Sequence, residues 1–323
     1  MRLLEKASNI FFLKKVVNII RNRNQFIKDS YRFSKFYIKL SKSEECVSYQ
    51  IILLVHKLEK GMCHTNPRPF GFDKVACLLE IIENYSIDKR NDFEYMLACS
   101  AVKSWLQFSV EHNWEQKIDK NIIARIKGLP ESKIKAGSMI YRNPCIISNE
   151  KIEKILLSRR SVRDFTNQQI RKNDLEFAIK AFQTAPTACN RQMCKIYCIK
   201  DNSKKEVIIK CLKGIDGFNV NSLTLFLITY DLASLDYLGE RYQGLLNVGL
   251  TSMNFVNGLH LRGIGSCFLQ WSNTDEDAAN VRTALSLPES ECIGVVIAAG
   301  YYKYETIIPC STKKQIKNVY QEV

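Results

Sequence analysis

No stretch of about 18 uninterrupted apolar residues occurs in this 323-residue chain, so a membrane-spanning helix is not expected. Residues 1–20 carry apolar patches, but Lys14 and Lys15 split them and no small-residue cleavage site follows, so no secretory leader is read. Histidine is scarce at four residues, a poor supply for a zinc enzyme. No Cys-x-x-Cys pair occurs among the 12 cysteines. Cys189, Cys194 and Cys198 lie near one another, at spacings that match no common zinc or iron–sulfur pattern, and no metal is expected. The cysteines are scattered through segments that read as core. The expectation is a reduced, cytoplasmic protein and not a disulfide scaffold.

Hydrophobic content of 46% and charged content of 25% are ordinary globular values. The length allows one large domain or two ordinary ones. The net charge of +14 is unevenly placed. Residues 1–42 hold eleven Lys/Arg against two Asp/Glu, and the remaining 281 residues carry only +5. This basic arm interleaves Phe26, Tyr31, Phe33, Phe36 and Tyr37. Such an arm packs on the body or on a partner subunit, or lies on a membrane surface, giving peripheral contact through residues 1–42. The first is preferred, and nucleic acid is not expected as a partner.

Apolar spacing predicts helices over 1–42 and 43–62, a break at 63–72 with two prolines, and a helix from an Asp73 N-cap toward Tyr85. Two more are read at 91–113 and 115–127. Pro130, Gly137 and Pro144 mark a loop-rich joint, and the boundary is placed near residue 148, dividing 1–148 from 149–323. Beyond it come helices at 149–158, from Asn173 or Asp174 through Phe182, and at 203–212, 240–261 and 275–285. Strands are read at 195–199, 223–230, 267–270 and 293–299, with a tail at 301–323. Helices alternating with few strands indicate α+β or α/β, without an internal repeat.

Four segments carry chemistry. Ser158-Arg159-Arg160-Ser161-Val162-Arg163-Asp164-Phe165 offers fixed positive charge and hydroxyls, suited to a phosphate and a polyol. Its plainer reading is a solvated basic loop. Ala185-Pro186-Thr187-Ala188-Cys189-Asn190-Arg191-Gln192 offers small residues, a proline turn and two amides, suited to a flat heteroaromatic ring. Gly263-Ile264-Gly265 follows a helix, where glycine permits positive φ and close backbone approach; a helix cap explains Gly263 equally well. Ala298-Ala299-Gly300-Tyr301 precedes Lys313 and Lys314, either a phosphate-binding or a surface pair.

Together these segments resemble the FMN-binding signature of the nitroreductase family over roughly residues 150–323. The resemblance implies an α+β fold, with a nitroreductase-like mixed central sheet flanked by helices and preceded by a helical extension. It implies non-covalent FMN held by Arg159, Arg160, Ser161, Arg163, Pro186, Thr187, Ala188, Asn190, Gln192, Gly263, Ile264, Gly265 and Lys313, with Lys314 the next candidate. Arg163 would sit beside the flavin pyrimidine ring, where a fixed cation stabilises the reduced form. A homodimer with two interfacial flavins is implied, the arginine cluster coming from one subunit and Pro186, Thr187 and Asn190 from the other. NAD(P)H would pass hydride to flavin N5 and a small organic acceptor would follow in the same space, a ping-pong oxidoreductase needing no protein nucleophile. Met193-Cys194 stands where family members often have Pro-Trp, and the region where an acidic residue often precedes the long central helix reads Gln243-Gly244-Leu245-Leu246-Asn247.

A second resemblance lies upstream. His56-Lys57-Leu58-Glu59-Lys60-Gly61 followed by Pro69-Phe70-Gly71-Phe72 is similar to a segment of nitroreductase-family members associated with surface polysaccharide gene clusters. It implies a specialised flavoenzyme acting on a glycan- or lipid-linked metabolite. His56 and Glu59 could face one site, although spacing favours a helix-surface pair capped at Gly61. The alternative of another class is a flavin-free docking module that uses the basic arm.

Overall fold

The computed structural model describes residues 2–37, 43–140, 150–213, 215, 217–271, 274–309, 311 and 313–323, without the side chains of 2–12, 150–152 and 154. The boundary expected near residue 148 lies outside the described residues.

The first part is helical: α1 (Arg2–Phe36), α2 (Glu44–Met62), α3 (Phe72–Glu83), α4 (Phe93–Glu111) and α5 (Lys120–Lys127). Ile51, Val55, Leu58 and Met62 recur on one face of α2 and are buried. They join Leu78, Val102, Trp105 and Ile126 in a core that α2–α5 make among themselves.

Three local expectations are corrected here. Asp73 sits in the first turn of α3; the cap position belongs to Gly71, at φ +82°. A side chain there would be strained, and its Cβ would stand 2.6 Å from Leu58 Cδ2. The segment 115–127 is not one helix. A short 3-10 turn at Glu115–Lys117 ends where Ile118 turns extended, and the Asp119 side chain then caps α5 by accepting from the Asn121 amide at 2.7 Å. Gly61 is not a cap. It lies inside α2, and a Cβ on it would meet the Phe70 ring at 2.1 Å. Trp105 Nε1 donates to the Phe70 carbonyl at 2.9 Å, and Phe72 packs edge-on against Trp105. The Gly61…Phe70-Gly71-Phe72 pattern is therefore a packing clasp.

The second part contains α6 (Glu150–Ser158), α7 (Lys172–Gln183), β1 (Cys194–Ile199), α8 (Asn202–Cys211), β2 (Thr224–Asp231), α9 (Gln243–His260), β3 (Gly265–Leu269), α10 (Asp275–Leu285) and β4 (Glu291–Gly300). The four strands pair antiparallel in the order β1-β2-β4-β3. A parallel bridge, Ser161 to Ser266, lays the arginine segment along β3. Helices cover both faces, so β2 is buried along nearly its whole length. The fold is α+β, with a helical N-terminal part. The cap of α7 is Arg171, not Asn173 or Asp174. Asp174 is drawn inward instead, where Oδ2 accepts from Tyr301 Oη and Arg171 Nε, both at 2.7 Å. The long helix begins at Gln243, after a 3-10 turn at Leu238–Glu240.

The end of α1 docks on this second part. Phe33 is buried against the sheet-side core. Arg32 Nη2 donates to the carbonyls of Glu289 and Glu291 at 2.8 and 2.7 Å, and Lys35 pairs with Glu289 at 2.7 Å. Leu13, Val17, Ile20, Ile27 and Tyr31 remain exposed.

Candidate functional site

The arginine segment is held by its apolar residues. Val162 and Phe165 are buried, while Arg163 is exposed between them. The Val162 amide donates to Ser266 O at 3.0 Å, and the Thr166 amide to Tyr301 O at 2.7 Å. Gly265 and Gly300 make room for this contact, since a Cβ on Gly265 would stand 2.8 Å from Val162 Cβ and one on Gly300 3.0 Å from Phe165 Cβ. Gly265, which sequence reading set aside for a ligand, thus first serves the seating of this segment. Gly263, at φ +69°, faces open space and ends α9. Its amide donates to His260 O and the Ile264 amide to Leu259 O, both at 3.0 Å, a helix-terminating motif that already uses those two donors.

Arg159, Arg160, Ile264 and Gly265 line one cleft of ≈ 120 Å³, with Tyr302 and Thr306 from the tail. None of Arg159, Arg160 and Arg163 forms an ion pair with a carboxylate among the described residues. Arg160 Nη1 donates to Leu157 O and Arg159 O at 2.8 and 2.9 Å. His260 on α9 reaches Ser158 Oγ at 2.9 Å and Ile155 O at 3.1 Å, tying the end of α6 to the end of α9. Burial lowers the His260 pKa; the Ile155 carbonyl opposes this and the Arg159 charge adds to it. The same cationic field counters the rise that burial imposes on Cys267. A pair of guanidinium forks with no carboxylate partner among the described residues, beside a glycine turn, offers a donor set for an anionic, phosphate-like group. Lys313 and Lys314 are exposed and line none of the clefts described here.

The second segment stands apart from this cleft within one chain. Thr187 and Gln192 line another cavity of ≈ 250 Å³, floored by Phe182 of α7, Cys194 and Ile196 of β1 and Thr251 of α9. Burial pushes the Cys194 thiol up to about 11, so it stays protonated there at neutral pH. Between Thr187 and Gln192 the backbone is unusual. Cys189, Asn190 and Gln192 all lie in the left-handed region, at φ 51°, 52° and 51°. Such residues cost on the order of 1–3 kcal/mol each, less for asparagine, and persist only where surroundings impose them. The Gln192 amide donates to Thr187 Oγ1 at 3.0 Å. Pro186 and Asn190 are exposed, and Ala188 opens the 3-10 turn.

Sequence reading missed Arg191, the fully buried neighbour of this run. It pairs through both terminal nitrogens with Glu240, at 2.6 and 2.8 Å, and donates through Nε to Ala188 O at 2.9 Å. Burial raises the Glu240 carboxyl, but Arg191 and the Asp236 amide outweigh it and hold it below its usual range. The helix α2 packs over Ala188–Asn190, and a third cavity of ≈ 320 Å³ opens there between Tyr49, Phe93, Gln192 and Asp231. His56 and Glu59 lie elsewhere on α2, 3.7 Å apart, with Glu59 Oε1 accepting from the Gly137 amide at 3.3 Å. Cys189, Cys194 and Cys198 are free thiols, and no metal-holding cluster of His, Cys, Asp and Glu exists among the described residues.

A cationic cleft and an apolar slot on one α+β domain offer donors for an anionic group and a surface for a flat ring. Comparison with known proteins then shows what part of the chain is similar to. Residues 156–219 match the model described as Nitroreductase family. An Archaeoglobus fulgidus protein named "Putative NADH dehydrogenase/NAD(P)H nitroreductase" is 25% identical over 158 residues, covering 48% of this chain and 88% of that protein. These matches show similarity to the nitroreductase family over part of the chain. Similar solved structures include an "FMN-dependent Nitroreductase" from Clostridium difficile R20291, with 20% identity, TM-score 0.45, and coverage of 53% of this chain and 99% of that one. Another is described as "a putative nitroreductase in complex with fmn" from Desulfovibrio desulfuricans, with 19% identity, TM-score 0.46, and coverage of 57% and 98%.

Proposed function

We propose that the protein is an FMN-dependent oxidoreductase that takes reducing equivalents from NAD(P)H and passes them to an organic acceptor. The observation that carries this reading is the cleft holding Arg159 and Arg160 without a carboxylate partner among the described residues, in the segment that matches the family model. Bound FMN would supply the two-electron redox chemistry; the protein supplies position and charge. Arg159 and Arg160 would grip the phosphate, and Ser161 would face the polyol. Arg163 would offer the fixed cation, and Thr187, Asn190 and Gln192 would meet the ring edge. Lys313 and the Gly263–Gly265 turn remain proposed contacts.

The two halves of the site line separate clefts of one chain, which supports a homodimer in which a second copy completes each site. Leu245, Leu246, Leu250 and Met253 on the outward face of α9 are exposed and offer an apolar surface for it. The packing of α2 over Ala188–Asn190 favours a specialised acceptor over indiscriminate nitroaromatic reduction, since the extension narrows approach to that loop. Among the described residues no helix is long and apolar enough to cross a membrane. The test is titration of purified protein with FMN, followed by anaerobic addition of NADH and of NADPH. A charge-assisted bidentate contact contributes about 1.5–3 kcal/mol, so Arg159→Ala is expected to raise the FMN Kd roughly 10- to 100-fold. A protein that never binds FMN would overturn the proposal.

A further inference from the structure

Arg191 is completely buried, and its contacts tie its own short loop to the 234–240 turn. Nε holds the carbonyl of Ala188, three residues back. Nη1 reaches Ser234 O, and both terminal nitrogens fork onto Glu240, whose Oε2 also accepts from the Asp236 amide at 2.7 Å. The residues on either side of the guanidinium, Asn190 and Gln192, are both left-handed, as is Cys189. A chain of non-glycine residues does not keep that conformation without restraint. A buried ion pair adds little net stability compared with an apolar pair of like volume. It does fix geometry, because the planar fork admits one arrangement with a carboxylate. The loop is also two-sided: Thr187 and Gln192 face the apolar cavity, while Arg191 and Gln192 face the cavity beneath α2.

We propose that Arg191 is a positioning residue of the flavin site, clamping Ala188–Gln192 between the 234–240 turn and α2 so that the Asn190 amide is presented to the ring at a fixed angle. This rests on the FMN reading above. Arg191 touches no reacting atom; it acts through the backbone it holds.

The test compares wild type with Arg191→Gln, Arg191→Lys and Glu240→Gln, using FMN itself as the probe. FMN affinity, the band shape of the bound-flavin absorption spectrum and the melting temperature are recorded for each. The expected result is a rise of about tenfold or more in FMN Kd for Arg191→Gln, with an altered spectrum at temperatures where the variant is fully folded. Arg191→Lys should recover part of the loss, and Glu240→Gln should shift the same readouts in the same direction. A variant that is merely less stable would melt earlier but leave the spectrum of its folded form unchanged. If Arg191→Gln does not fold, Glu240→Gln decides alone. Wild-type affinity and spectrum in the folded variants would overturn the positioning role and leave FMN binding intact. Failure of wild type to bind FMN would overturn both.

Discussion

Gly258 lies at a close approach of α9 to α7, and its replacement tests the packing that frames the apolar cavity. A Cβ at this position would stand 2.8 Å from the Cα of Ala178, 3.0 Å from the Ala181 Cβ and 3.3 Å from the Ala178 Cβ. The nearest atom is backbone, so no rotamer change relieves the clash and the helices must separate. Two effects oppose each other in Gly258→Ala. Helix propensity gains about 1 kcal/mol. Overpacking a tight contact costs about 1–3 kcal/mol, and the rigid neighbour puts this case toward the upper end. The expected net is a loss of about 1–2 kcal/mol, lowering the melting temperature by about 2–4 °C per kcal/mol for a protein of this size class. Gly249→Ala, on the same helix with nothing within 4 Å, receives the propensity gain without the clash. Urea unfolding of both variants provides the comparison. If Gly258→Ala proves as stable as Gly249→Ala, the close α7–α9 crossing is wrong. Phe182 from α7 and Thr251 from α9 line the same cavity, so separation should also weaken ring binding.

Two further outcomes are expected. Burial pushes the Asp231 carboxyl up, so the folded state binds its proton more tightly than the unfolded one. Ionisation then costs stability above the raised value, and stability is regained as pH falls through it. Asp231→Asn, which can still accept from the Ala233 amide, should raise the melting temperature at pH 8 and have a shrinking effect toward pH 4. An equal gain at both ends would refute the assignment. Gly71→Ala should destabilise the helical part by about 1–3 kcal/mol through strain at positive φ and contact with Leu58, read by urea titration of far-UV circular dichroism. No change in midpoint would show that the α3 cap has been misjudged.

Regular elements with strong periodicity were legible in the sequence. The α10 span, 275–285, is found with the limits expected, because a Thr274 capping box and an acidic first turn mark its start locally. The strand of β2 was legible from its apolar run. Caps failed where tertiary contacts decided them. Asp174 looked like a cap, but Tyr301, far along the chain, recruits its carboxylate. Gly71 was written into a Pro-rich break, yet its role depends on Leu58 and Trp105. In the candidate site, charge made the arginine cluster visible. Arg191 escaped notice because Ser234 and Glu240, which explain it, lie 43 and 49 residues away. The pairing of Gly265 with Val162 and of Gly300 with Phe165 was hidden for the same reason: local text says only that a glycine is present, not what approaches it.

The docking of α1 has a consequence for how the protein is made. Arg32 binds the carbonyl of Glu291, which follows it by 259 residues, and Phe33 buries itself among residues of β2, α9 and β4. At about 5–20 residues per second on the ribosome, the first helix emerges roughly 10–50 s before its acceptor surface exists. The core of α2–α5, drawn from neighbouring segments, can close during that interval. The basic first helix cannot, and it waits with Phe33 uncovered. Vectorial synthesis therefore makes α1 settle after the α2–α5 core that follows it in the chain.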